Sequence, residues 1–187
     1  MRYVVIGASA AGISAASTLR DLDKNAEIIL VSKDENVYSR CILHHYISNH
    51  RDVEALNFTG KNFFEENNIT WIKGVEVKSL KDTEQTLELS SGETLSYDKI
   101  VVCSGASAFI PPVEGLREAN NVVGLRNLDD AILIKEQASK VKNVVVLGAG
   151  LVGIDAVSGL VGQGVNISLI EMGNKILPLQ LDKHASD

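Results

Sequence analysis

A mixed α/β fold assembled twice from one strand–turn–helix unit is what this sequence predicts, and three observations predict it. Two glycine-rich turns, Gly7-Ala8-Ser9-Ala10-Ala11-Gly12 and Gly148-Ala149-Gly150-Leu151-Val152-Gly153, lie far apart in the chain. Each follows an apolar run, Tyr3-Val4-Val5-Ile6 or Val144-Val145-Val146-Leu147, and each opens a small-residue segment that reads as a helix. Sliding the chain by 141 positions lays residues 4–19 on 145–160 with nine of sixteen identical, an internal repeat of one supersecondary unit. Glycines let such a turn approach a pyrophosphate closely, and the N–H groups and dipole at the helix N-terminus hold its charge. Two Rossmann-like dinucleotide-binding units are therefore expected.

In the first unit the candidate ligand contacts are Gly7, Ser9, Ala10, Ala11 and Gly12, with Ser9 standing where the middle glycine usually lies. The next strand reads as residues 27–31. It leads to Ser32, Lys33, Asp34 and Glu35, of which Asp34 or Glu35 would be the carboxylate on an adenosine ribose. In the second unit the candidates are Gly148, Gly150, Leu151, Val152 and Gly153. The following strand, residues 166–170, ends in Glu171, at the position for a ribose carboxylate. No Arg stands beside it to take a 2′-phosphate, although Lys175 is four residues on, so NAD is favoured over NADP.

Between the two units the chain turns to β structure. A short helix is expected over 61–67, where Phe63 and Phe64 need burial. Strands are expected over 70–72 and 76–80, with a hairpin of 86–89 and 93–96 around Ser91-Gly92. Residues 100–103 form a fully apolar run, as expected of a parallel strand buried on both faces. Ile110-Pro111-Pro112 reads as a crossing between domains, and residues 128–141 carry apolar positions at helical spacing. The fold class is thus α/β with three-layer β/β/α character, divided into domains 1–110 and 111–187. The second unit is incomplete, because one βαβ motif cannot cover both faces of its sheet. On this reading the chain is the N-terminal part of a longer enzyme.

Composition removes several other classes. A net charge of −6 over 187 residues, with no Lys/Arg cluster, gives no electrostatic footprint for nucleic acid. No apolar run reaches the roughly 18 residues of a membrane helix. The N-terminal apolar stretch is broken by glycines at strand–turn–helix spacing and recurs internally, unlike a secretory signal. A cytoplasmic protein is expected. Two cysteines at unrelated positions make no disulfide framework.

With these residues placed, the chain resembles the FAD-dependent pyridine nucleotide-disulfide oxidoreductase family over essentially its whole length. Three segments carry the resemblance: the Gly7 to Gly12 turn, which in that family holds FAD; Tyr97-Asp98-Lys99-Ile100-Val101-Val102-Cys103-Ser104-Gly105-Ala106, which closes the first part of the FAD domain; and the Gly148 to Gly153 turn with Glu171, similar to its NAD(H) site. The resemblance implies FAD and NAD(H) as cofactors and adds Ser104, Gly105 and Val77 as FAD contacts, the last through its backbone against adenine. It also implies a later return to the FAD domain and a C-terminal domain. Relatives are commonly dimers.

The subfamily turns on Tyr38-Ser39-Arg40-Cys41-Ile42-Leu43-His44-His45-Tyr46-Ile47-Ser48. Cys41 is similar to the single redox cysteine of the NADH oxidase, NADH peroxidase and coenzyme A-disulfide reductase branch, whose thiolate relays electrons between flavin and a disulfide, peroxide or oxygen. The paired-cysteine branch is excluded, since no second cysteine follows at short spacing. Ile42 replaces the usual glycine or alanine and His44 the common proline. The Tyr38-Ser39-Arg40 lead is equally similar to relatives that reduce rubredoxin, ferredoxin or a nitrite reductase module. There Arg40 positions the flavin, electrons leave to a protein partner, and Cys41 is a small packing residue. A third alternative is a non-catalytic dinucleotide-binding fragment. Cys103, in an apolar strand, reads as core. Adjacent His44 and His45 make a poor chelating pair and no ligand partner is spaced for them, so no metal is expected; either could protonate a substrate near Cys41. Asp155 is similar to an acidic residue near the nicotinamide path in relatives, or is an ordinary first-turn carboxylate.

Overall fold

The computed structural model describes residues 1–186. In chain order it contains β1 (Arg2–Ile6), α1 (Ala10–Leu22), β2 (Glu27–Ser32), α2 (Leu43–Ile47), α3 (Phe63–Glu66), β3 (Ile69–Lys73), β4 (Val77–Lys81), β5 (Thr86–Leu89), β6 (Thr94–Ser96), β7 (Lys99–Val102), α4 (Leu128–Ala138), β8 (Asn143–Leu147), α5 (Leu151–Leu160), β9 (Asn166–Ile170) and α6 (Lys183–Ser186), with short 3₁₀ turns at Arg40–Ile42 and Glu54–Leu56. The chain divides into two compact units, one of residues 1–39 and 57–106, the other of 40–56 and 107–187.

The first unit is a three-layer β/β/α sandwich. Its parallel sheet has the order β3-β2-β1-β7, with Tyr3 paired to Ile28 on one side and to Lys99 on the other. The central strands are apolar without alternation because both faces are covered. One face of the sheet, with Val5, Ile28 and Leu30, packs on Ile13 and Ala16 of α1. The other, with Val4, Ile29 and Val31, meets Leu87, Leu89 and Tyr97 of the antiparallel β4-β5-β6 layer. The β5–β6 hairpin turns at Gly92, whose φ of +87° suits glycine.

Three sequence expectations shift. The apolar run at 100–103 yields strand Lys99–Val102, which is one of the sheet's two edge strands, and Val102 is 60% exposed instead of buried on both faces. The helix expected over 61–67 shortens to α3, and that over 128–141 ends at Ala138, where Ser139 turns its hydroxyl back to the Glu136 carbonyl.

In the second unit β8 and β9 pair in parallel, Asn143 opposite Asn166 through Leu147 opposite Ile170. The inward positions Val144 and Val146 are covered, whereas Val145, Leu147 and Ile170 line an exposed face. Residues 40–56 belong to this unit because α2 packs on α4 and α5. Leu43, Ile47, Leu56 and Leu160 are each 2% exposed or less. A Cβ on Gly159 of α5 would lie 3.0 Å from the Ile47 Cβ and 3.1 Å from the His44 carbonyl oxygen, so glycine permits the close α2–α5 approach. The start of α4 is a capping box: Asn127 accepts from the Asp130 N–H, and Asp130 accepts from the Asn127 N–H.

Candidate functional site

In the first unit, parallel pairing brings the carboxyl ends of β1, β2, β3 and β7 to one edge of the sheet, where open α/β sheets bind ligands. The Gly7 to Gly12 turn leaves β1 here. Gly7 has φ +107°, and its N–H donates to the Val31 carbonyl at 2.8 Å. A Cβ at Gly12 would overlap the Gly7 carbonyl oxygen, and one at Gly7 would overlap the Cys103 carbonyl oxygen. The glycines thus let the turn pack backbone to backbone against α1 and residue 103, a cradle with no room for a side chain at either position. Ser9 is the extended N-cap of α1 and its hydroxyl makes no cap bond; Ala10 and Ala11 form the first turn, whose N–H groups have no intrahelical partner.

The neighbouring candidates divide by what their side chains already do. Ser32 is 4% exposed; it donates to the Asp34 carbonyl at 2.8 Å and accepts from the Trp71 indole at 3.0 Å. Asp34 accepts from the Tyr38 hydroxyl at 2.9 Å. The Glu35 carboxylate lies against Gly74, and Lys33 is exposed. Val77 opens β4 opposite Leu89, beside a break in register at Ser79, and packs between the two sheets. Ser104 and Gly105 follow β7, with Gly105 at φ +71°. Cys103 is half-buried against the α1 side of the core, and burial pushes its thiol pKa up, which keeps it a thiol.

The second unit repeats the cradle. Gly148 has φ +98°, its N–H donates to the Ile170 carbonyl at 2.8 Å, and a Cβ at Gly153 would overlap the Gly148 carbonyl oxygen. Gly150 is the extended N-cap of α5, and Leu151, Val152 and Gly153 form its first turn. Glu171 sits at the end of β9, where its carboxylate accepts from the Ala149 N–H at 2.7 Å and the Gly173 N–H at 2.8 Å. These backbone bonds, Ala149 first, hold its pKa below the usual carboxylate range.

The same unit contains the cysteine segment. Cys41 is exposed, in the 3₁₀ turn before α2. The Arg40 guanidinium donates to the Arg126 carbonyl at 3.0 Å. His44 Nδ1 is buried without a hydrogen bond, 3.6 Å from a carboxylate oxygen of Asp155 on α5. A small cavity at this point is lined by Arg40, Leu43, His44, Leu125, Arg126, Val152 and Asp155. Asp155 therefore has a partner on α2 that spacing alone did not reveal. The His45 ring lies beside that of His44, 4.3 Å between ring centres and tilted by 35°, and desolvation, then the charge of His44, lowers the His45 pKa.

The model of the pyridine nucleotide-disulphide oxidoreductases matches residues 1–187. The chain belongs to this family. It is 32% identical over its full length to the NADH-dependent phenylglyoxylate dehydrogenase subunit epsilon of Aromatoleum evansii, of which it covers 44%. It is 32% identical over 97% of its length to an NADH oxidase of Methanocaldococcus jannaschii, covering 42% of that protein. Among solved structures, a NAD-dependent persulfide reductase from A. fulgidus matches 98% of the chain with a TM-score of 0.87 at 30% identity, the match covering 36% of that chain. The chain thus spans less than half the length of these relatives. No helix among the described residues is long and apolar enough to cross a membrane.

Proposed function

We propose that this chain carries the dinucleotide-binding part of a flavoprotein oxidoreductase that moves a hydride from NADH to FAD and passes the electrons onward. The observation that carries the reading is the doubled cradle: two strand–turn–helix units whose first glycines have φ +107° and +98° and whose last glycines, Gly12 and Gly153, admit no Cβ. Residues 7–12, with 32–35, Val77, Ser104 and Gly105, would hold FAD, and residues 148–153 with Asp155 and Glu171 would hold NAD(H). Bound FAD would supply the two-electron acceptor for hydride and the electron donor for the onward step. Backbone N–H groups at the starts of α1 and α5 would carry the pyrophosphate charge, which asks for no lysine or arginine at either turn.

For the onward step we favour Cys41. Its exposed sulfur can attack a small disulfide, forming one S–S bond as the other sulfur leaves as thiolate, or meet a peroxide or oxygen. The Tyr38-Ser39-Arg40 lead, similar to that of relatives that reduce a protein carrier, supports a second reading, in which Arg40 positions the flavin and a protein carrier takes the electrons. The three relatives carry names with three different reactions, so family membership leaves the acceptor open.

The first expected result is a yellow protein. Visible flavin absorption should co-elute with the chain in gel filtration, and anaerobic NADH should bleach it; a folded, colourless chain that takes up no added FAD would overturn the flavin assignment for these residues. In the protein that turns over, Cys41→Ser should keep the colour and the NADH bleaching while reduction of disulfide or peroxide falls to background. Unchanged turnover in that variant transfers the assignment to the protein-carrier reading, where activity depends on an added rubredoxin- or ferredoxin-like partner.

A further inference from the structure

Glu171 stands where a carboxylate would meet the adenosine ribose, yet both of its oxygens are already used by the protein. One accepts from the Ala149 N–H at 2.7 Å and the other from the Gly173 N–H at 2.8 Å. Ala149 is the residue after the positive-φ glycine of the turn and is fully buried. Its carbonyl is also taken, by the Leu177 N–H at 2.9 Å. The segment after β9 therefore grips both backbone polar groups of the turn's second residue. Gly148 donates to the Ile170 carbonyl, so the N–H groups left for an anion belong to Gly150 and the first turn of α5.

The first unit shows that the fold does not require this arrangement. Its equivalent residue is Ser32, whose hydroxyl is engaged with the Asp34 carbonyl and the Trp71 indole and not with the turn. At its glycine turn the Cys103 carbonyl stands where a Cβ on Gly7 would lie. At the second turn a Cβ on Gly148 would meet no described heavy atom within 4 Å, and the residue after that glycine is bonded by the Glu171 carboxylate.

We propose that Glu171 is a positioning residue: it fixes the second glycine turn in its ligand-accepting shape before any nucleotide arrives, separately from any contact it makes with the ribose. This rests on the reading of that turn as the NAD(H) site. A carboxylate accepting from two backbone amides makes charge-assisted bonds, about twice as strong as neutral ones. It loses no order on binding, because the turn and the carboxylate are pinned together beforehand. One ion can still accept from ribose hydroxyls, since each oxygen has a second lone pair.

The test separates positioning from ribose contact. In the unliganded chain, amide hydrogen exchange at Ala149 should be slow, and Glu171→Ala, which removes both acceptor oxygens, should speed it by about tenfold or more, the loss of one charge-assisted bond. Exchange at Gly148, bonded to the Ile170 carbonyl, should not change. Exchange at Ala149 that ignores the substitution overturns the proposal, whatever the nucleotide results. Should Glu171→Ala fail to fold, Glu171→Asp, one methylene too short to reach both donors, carries the same expectation. Binding gives the second arm. NADH and its 2′,3′-dideoxyadenosine analogue should both lose about tenfold in affinity in the variant; a loss confined to NADH would leave Glu171 as a ribose contact alone and overturn positioning. Absence of NADH binding by the wild-type chain would count against the NAD(H) reading, with the exchange arm still deciding on Glu171.

Discussion

Replacing Gly12 by alanine is expected to lower the melting temperature by roughly 6–12 °C, taking about 3 kcal/mol of overpacking in a domain of this size. The Cβ of that alanine would overlap the Gly7 carbonyl oxygen, and the obstacle is backbone on both sides. Neither can yield alone, because the Gly7 N–H is fixed to the Val31 carbonyl and α1 is packed through Ile13 and Ala16 into the core. The variant must move α1 away from the turn, which also spoils the N–H array that would face a pyrophosphate. Flavin colour, if the wild type shows it, should go with the stability. Gly60→Ala is the control, since nothing lies within 4 Å of a Cβ there. Equal melting of the Gly12 and Gly60 variants would show that the helix approaches the turn more loosely than the structure has it. Gly153→Ala faces the same obstruction from Gly148 and should behave alike.

The strand–turn–helix units were legible because everything that specifies them is local. A glycine with positive φ, an apolar strand before it and small residues after it occupy fewer than twenty consecutive positions, and the hairpin at Gly92 is read the same way. The α2 segment was not legible. It is five residues long, and its burial depends on Gly159 and Leu160 more than a hundred residues away. No periodicity within residues 40–56 announces that partner, so its place in the second unit emerges only from packing. Val102 misled for the opposite reason: a β-branched apolar run has the composition of a buried strand, whereas exposure depends on which strand ends the sheet.

The site was legible to a similar depth. Sequence spacing put Glu171 at the end of β9, and the structure adds that its carboxylate faces the turn's own backbone. Spacing put Asp155 in the first turns of α5, and the structure adds His44 beside it. In each case chain position follows from the repeat, while the contact depends on a loop or a helix whose path the repeat does not encode.

Arg20 has a large expected effect that no pattern in the sequence singles out. A lone arginine at the end of an amphipathic helix ordinarily lies in water, but this one is 7% exposed. Its guanidinium donates to four carbonyls, those of Asn67 at 2.7 Å, Lys24 and Asn68 at 2.9 Å and Asp23 at 3.2 Å. It therefore closes the C-terminus of α1, where a cation also suits the helix dipole, and ties that end to the turn that leads into β3. Arg20→Met keeps the buried stem and removes every donor. The expected cost is about 2–3 kcal/mol, or roughly 4–12 °C in melting temperature, because several part-buried carbonyls lose their partner together. Arg20→Lys keeps the charge but cannot reproduce the planar fork, so it should fall between Met and wild type. If Lys melts with wild type, the charge at the helix end is what matters and the fork is incidental. If Met also melts with wild type, water serves the carbonyls as well as arginine does, and the clasp contributes nothing to stability.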